Sequence, residues 1–291
     1  MTNRQASVVL VLVTILSGFG WLLSKLILEH MQPFAFMSIR FLLAGLVLFT
    51  LCGRELLTQS WINLRRSMLT GLIFSCGMLL WVSGLNVSPH MGEAAFISSL
   101  CYILIPIIGA LIFGFHITRG VIFSLFIALV GLGFLSLKEA LILEKGHLLI
   151  LLSAFAFALH FLLVARYSRK IDPLQLTCIQ LITAGSVASG AGLVTGTMNF
   201  SVAPIVWMWL LLVALLATSF RFLLLTYALK YASTNEAGLI MVLEPVFAAL
   251  LGIWFIGETM VINQWLGCLL IFFAVVLRQV SGMKLLERYK S

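Results

Sequence analysis

Charge is what this chain has least of. Asp, Glu, Lys and Arg make up 10% of its 291 residues, against roughly 25% in an ordinary soluble domain. The segments between its apolar runs are short, too short to hold a soluble domain of any size. The apolar runs are continuous rather than alternating, which excludes a membrane β-barrel. There is no HExxH, no GxSxG, no paired-aspartate intramembrane motif and no phosphate-cradling loop. No enzyme chemistry and no cofactor are therefore expected. The five cysteines (Cys52, Cys76, Cys101, Cys178 and Cys268) lie far apart, in or at the edge of apolar runs. They read as small buried hydrophobes, which argues against a disulfide framework or a metal site. The apolar stretch 6–28 is longer than a signal-peptide core and is followed by no small-residue cleavage site, so it is expected to remain as a first span.

What is there is grease: 62% of the chain is hydrophobic, in runs long enough to cross a bilayer as helices. The expected fold is an all-α integral membrane protein with ten transmembrane helices, at about 6–28, 33–52, 67–86, 91–113, 120–137, 147–166, 173–195, 204–229, 235–256 and 262–281. The connections carry turn chemistry: "EHMQP", "NVSPH", "HITRG", "SRKIDP", "KYASTN", "GETMVIN". The net charge of +8 could point to nucleic acid. Topology accounts for it instead. With both termini cytoplasmic, thirteen of the 18 Lys and Arg fall on the inner side and two, Lys138 and Lys145, on the outer side; Lys25, Arg40 and Arg221 lie within spans. That split obeys the positive-inside rule and leaves no need for a nucleic-acid partner.

The chain repeats itself. "EAAFISSLCYILIPIIGALIFG" from Glu93 is matched by "EAGLIMVLEPVFAALLGIWFIG" from Glu236, and "HMQPFAFMSIRFLLAG" by "KIDPLQLTCIQLITAG". Residues 1–143 and 144–291 are thus expected to be two five-helix copies. Five is odd, so the second copy enters the membrane inverted, an inverted 5+5 tandem repeat of the kind secondary transporters use to exchange outward-open and inward-open states.

Four stretches resemble the drug/metabolite transporter superfamily in its EamA-type branch: "SGFGWLLSKLILEHMQPFAFMSIRFLLAGLVL", the Glu93–Gly114 segment, "TYALKYASTNEAGLIMVLEPVFAALLGIWFIGETM" and "WLGCLLIFFAVVL". The resemblance spans nearly the whole chain. It implies ten helices and transport of small metabolites, often amino acids outward, with nucleotide-derived compounds, sugars or drugs carried by other members. The family often has Gly-Glu after the fourth helix; here the second half keeps Gly257-Glu258 while the first has Gly114-Phe115.

Charges inside spans are costly and face a bundle interior or a cavity. Arg40 lies seven residues after Pro33, roughly 10 Å deep, and either locks to the backbone or meets an anionic group. Glu244 lies about 12 Å from the inner end of its helix and is followed by Pro245. That proline removes the partner of the Met241 carbonyl and kinks the helix; open backbone at this depth is tolerated where it lines a cavity. Pro106 is the kink proline of the first half. Arg221 falls at about the depth of Glu244 on the neighbouring span, and His160 lies about 9 Å from the same face. Arg221, Glu244 and His160 are expected to cluster, as a static ion pair or as a site for a zwitterion. Coupling to a proton would run through Glu244, on which burial and Arg221 act in opposite senses. Lys25, near the end of its helix, either snorkels or serves the site. Trp21, Trp81 and Tyr102 lie deep, as core or as pocket lining. Glu93 and Glu236 sit in first helical turns, where a carboxylate complements the helix dipole.

The function these observations imply is secondary transport of small polar metabolites, amino-acid-like or related, by alternating access across the inner (plasma) membrane, with export the expected direction. The partners are a small-molecule substrate and the lipid bilayer, with the chain as monomer or homodimer. The alternatives are an importer of a metabolite or cofactor, a lipid-linked flippase, or a membrane subunit of a complex.

Overall fold

The computed structural model describes the backbone of every residue except 57, 88–90, 115, 137–144, 258 and 289–291. It describes the side chains of all but these and 54, 85–87, 91–95 and 278–288. The described residues form helices and short turns with no strand. The helices are α1 (Asn3–Leu28), α2 (Pro33–Cys52), α3 (Trp61–Val87), α4 (Met91–Phe113), α5 (Arg119–Ser136), α6 (Lys145–Tyr167), α7 (Pro173–Thr195), α8 (Pro204–Ala214), α9 (Arg221–Tyr231), α10 (Thr234–Met241), α11 (Glu244–Ile256) and α12 (Ile262–Arg288). A π-helical turn, Leu215–Phe220, joins α8 to α9 in one rod, and α10 and α11 form another. Among the described residues, nine spans are long and apolar enough to cross a membrane. The tenth, α12, is apolar over Ile262–Leu277. Their outer surface is built for lipid: Leu111, Val194 and Trp254 are each more than four-fifths exposed.

Local chemistry sets the ends. Thr2 and Gln5 close a reciprocal capping box on α1, and Asp172 accepts from the Leu174 and Gln175 amides ahead of Pro173 in the first turn of α7. Gly114 and Gly257, which correspond in the two halves, both carry positive φ, 68° and 72°. Gly257 is the left-handed C-cap of α11, a conformation that favours glycine. Of Glu93 and Glu236, which correspond in the repeat, the second is seen: Asn3 Nδ2 donates to Glu236 Oε2 at 3.0 Å, whereas the side chain of Glu93, and Glu258, lie outside the described residues. Four of the five cysteines are buried and all five are free; Cys76 is exposed, so it is not the buried hydrophobe expected.

The two halves meet through matched contacts. A Cβ on Gly45 of α2 would lie 2.7 Å from the Ile182 side chain on α7, and one on Gly185 would lie 2.7 Å from Leu42. Gly185 and Ile182 follow Gly45 and Leu42 by the same number of residues, so each contact is the image of the other. Residue numbers rise on one helix as they fall on the other, so the helices cross antiparallel. At the crossing of α5 and α12, a Cβ on Gly131 would lie 2.9 Å from the Ile271 side chain and one on Gly267 would lie 2.6 Å from the Leu135 amide nitrogen, again as images. A local two-fold axis between inverted copies produces this pattern. Glycine at both crossings lets backbones approach as small residues do in membrane helix pairs. The 143/144 division between the copies falls outside the described residues.

Candidate functional site

The halves enclose a cavity of about 450 Å³, within the range of small-molecule sites. Its deep wall carries two arginines and one carboxylate. Arg221 starts α9 directly after the π turn, and Glu244 starts α11 directly after the break in the ninth span. Pro245 makes that break: the Val242 and Leu243 amides fold back to the carbonyls of Leu239 and Ile240, at 3.2 and 3.0 Å, as three-residue turns. The carboxylate is thereby presented at a helix start, where the dipole favours negative charge. Pro106, by contrast, stands inside an unbroken α4.

Glu244 accepts three hydrogen bonds. Trp21 Nε1 donates to Oε1 at 2.9 Å, and the Tyr102 hydroxyl donates to Oε2 at 2.6 Å. Arg221 Nη2 reaches Oε2 at 3.2 Å. The Nε of Arg221 donates to Ser17 Oγ at 2.6 Å, and its guanidinium lies 4.6 Å from the Phe222 ring. Both charged side chains are little exposed, 13% and 12%, so this is a desolvated pair held from α1, α4, α9 and α11 together. Trp21 also packs edge-on against Trp81, with centroids 5.2 Å apart.

Arg40 is held differently. Nε donates to Thr218 Oγ1 at 2.7 Å and Nη1 to Ser24 Oγ at 3.1 Å. The Phe36 and Phe41 rings each lie 5.6 Å from its guanidinium carbon. Thr218 belongs to the π turn and donates in turn to the Val213 carbonyl five residues back, at 2.8 Å. Ser219 does the same to Ala214 and also reaches the Ala44 carbonyl. The π turn therefore presents a hydroxyl to Arg40 and launches Arg221 into the cavity, as π turns often do at functional sites.

Arg40, Arg221, Glu244, Trp21, Trp81 and Tyr102 thus come to one cavity. His160 lines it too but does not join the ion pair: its Nε2 lies 3.2 Å from Gln180 Oε1, and its ring packs on Phe74 at 4.9 Å. Lys25 is exposed in the last turn of α1 and is not among the cavity-lining residues. Pro245 lines the cavity; Pro106 does not. Sequence reasoning missed Ser17, Ser24, Thr218 and Gln180. Adjacent Thr218 and Ser219 just before Arg221 are the one signal that could have found part of this set.

The cavity is asymmetric along the bundle. Leu28 ends α1, Ser136 ends α5 and Gln264 lies in the first turn of α12, and all three line it. At the other end, where α1 begins, the nearest lining residues are Phe161 and Leu225, about 9 Å short of their helix ends at 1.5 Å per residue. That end is filled by packed side chains including Ile105, Leu239, Ile240 and Val242.

The sequence model of the EamA-like transporter family matches residues 5–137 and again 144–278. An uncharacterized transporter of Archaeoglobus fulgidus is 28% identical over 268 residues, 92% of this chain and 83% of that protein. A second uncharacterized transporter of the same organism is 24% identical over 189 residues, 64% of this chain and 67% of its own. A crystal structure superposes with a TM-score of 0.83 over 98% of this chain and 99% of that one, at 17% identity, a likeness of fold alone.

Proposed function

The chain belongs to the EamA-like transporter family, within the drug/metabolite transporter superfamily, and from that premise we propose that it carries a small polar metabolite out of the cell by alternating access through the central cavity. The observation that carries this reading is the asymmetric cavity: about 450 Å³, charged at mid-depth, reaching one end of the bundle and plugged at the other. A cavity with one accessible end is one of the two states an inverted repeat can exchange. We place both termini in the cytoplasm of a cell (plasma) membrane. At the terminal end Arg65 stacks on Trp61, Arg66 on Tyr167 and Arg166 on Phe113, at 4.9, 5.7 and 5.2 Å. Basic and aromatic side chains grouped in this way suit a cytoplasmic interface. The cavity then faces outward. One copy of the chain supplies every wall, so a monomer suffices. Glu244 is the sole carboxylate among the described lining residues, so a coupled proton would be carried there.

The test is a mass-spectrometric comparison of medium and cell extract from cells making the wild type or Glu244→Gln at matched membrane levels. The expected result is a small polar compound that accumulates in the medium with the wild type and not with the variant. Depletion from the medium would instead mean import. Identical profiles at matched levels would overturn the transport role given to Glu244.

A further inference from the structure

We propose that the cavity selects an organic monoanion, a carboxylate on an apolar body, and that Arg40 is its anchor; this rests on the transport reading above. The charge on the cavity wall does not balance. Arg221 and Glu244 neutralise each other, and Trp21 and Tyr102 complete the carboxylate. Arg40 remains. Its partners are two neutral hydroxyls, and it has no acidic partner among the described residues. Cations at membrane depth ordinarily pair with a carboxylate or with backbone carbonyls, and Arg40 does neither.

Its bonding leaves an edge free. Nε and one Nη1 proton are spent on Thr218 and Ser24, while Nη2 makes no hydrogen bond among the described residues. A guanidinium edge of this kind matches a carboxylate with two parallel bonds. A phosphate monoester carries about −1.5 to −2 at neutral pH and would overshoot a single uncompensated cation, whereas a carboxylate balances it. A zwitterion brings no net charge and leaves the imbalance in place. The remaining wall is mostly apolar, with Phe36, Phe41, Phe74, Met78, Trp81 and Phe157, and takes a ring or an aliphatic body.

The second copy shows that the architecture does not demand this charge. The Gly45–Gly185 correspondence that lays α7 on α2 lays Gln180 on Arg40. Gln180 is bonded to His160 of α6 at 3.2 Å, as Arg40 is bonded to Ser24 of α1 at 3.1 Å. The same bonding place is filled by a neutral amide in one half and a cation in the other. The fold is therefore satisfied by either, and the charge at position 40 is explained by what the cavity holds.

The experiment uses the purified full chain in lipid nanodiscs and five probes that share a phenyl body: phenylpropionate, its neutral amide, phenylpropylamine, phenylalanine and phenyl phosphate. Binding is measured by calorimetry. Phenylpropionate is expected to bind at least tenfold more tightly than each of the others. Arg40→Gln, which copies the second half, is expected to bring phenylpropionate down to the affinity of the amide, and Arg40→Lys to keep a weakened preference for the anion. Arg65→Gln, at the membrane surface, is expected to change nothing. Should Arg40→Gln fail to fold, the wild-type ranking together with Arg40→Lys decides. Equal or tighter binding of the amide, amine, phenylalanine or phenyl phosphate would overturn the proposal, as would no binding of any probe. The transport reading fails on a different result: probes that bind but do not cross proteoliposomes.

Discussion

At the scale of single residues, the pair Arg221–Glu244 has two possible duties, to hold helices together and to serve the cavity. They separate by mutation. Removing one member of a desolvated pair strands the other and costs roughly 3–5 kcal/mol, while replacing both by apolar groups of similar volume is often neutral. Arg221→Met is expected to lower the melting temperature markedly. The double variant Arg221→Met with Glu244→Leu is expected to regain it and still not transport. Thermal unfolding in detergent and efflux from cells measure the two quantities. A double variant that transports normally would make the pair structural. These residues were legible in the sequence because a charge in an apolar run is conspicuous and has few physical explanations. Ser17, Ser24 and Thr218 were not, because a hydroxyl in a membrane helix usually bonds back to its own helix. Ser24 does so, donating to the Gly20 carbonyl at 2.5 Å while accepting from Arg40. Nothing in its sequence position separates it from Thr70 or Ser75, which also bond back and have no part in the charged site.

At the scale of elements, the site depends on two interruptions, and only one of them could be read. Pro245 announces the break in the ninth span because its nitrogen cannot close the turn to Met241. The π turn of Leu215–Phe220 has no such marker. Six residues bonded with one extra residue per turn leave no trace in hydrophobic periodicity. The break is what points Glu244 at Arg221. Pro245→Ala is therefore expected to let α10 and α11 join. The Met241 carbonyl would regain a partner, worth about 1 kcal/mol, so thermal stability rises. Efflux is expected to fall several-fold, because the carboxylate turns with the straightened helix. Greater stability with undiminished efflux would show that the break is incidental. The first half carries its proline one turn further along, at Pro106 inside an unbroken α4, so the repeat conserves a weakened helix without conserving a presented charge.

At the scale of the whole molecule, the repeat visible in the sequence becomes a mechanical statement. The crossings of α2 with α7 and of α5 with α12 lie on the axis relating the copies, since their contacts are their own images. Motion that exchanges the copies' conformations leaves such crossings in place and moves what lies off the axis, including the ends of α1, α5 and α12 around the cavity mouth and the plug at the other end. Sequence could supply the repeat but not the state. Which end is open depends on differences in packing between the copies, which the hydrophobic pattern of the sequence does not record. If the two ends are coupled through the axis, stabilising one open end must depopulate the other. Ser136→Cys, at the open end, and Leu239→Cys, in the plug and outside the cavity lining, test this in a single chain, read against the five native cysteines. A bulky membrane-impermeant maleimide applied outside should label Ser136→Cys and wedge that end open. Subsequent labelling of Leu239→Cys from the cytoplasmic face of inside-out vesicles is then expected to drop several-fold relative to vesicles never treated outside. Unchanged labelling would mean that the two ends open independently, which is the behaviour of a pore and not of a carrier that alternates.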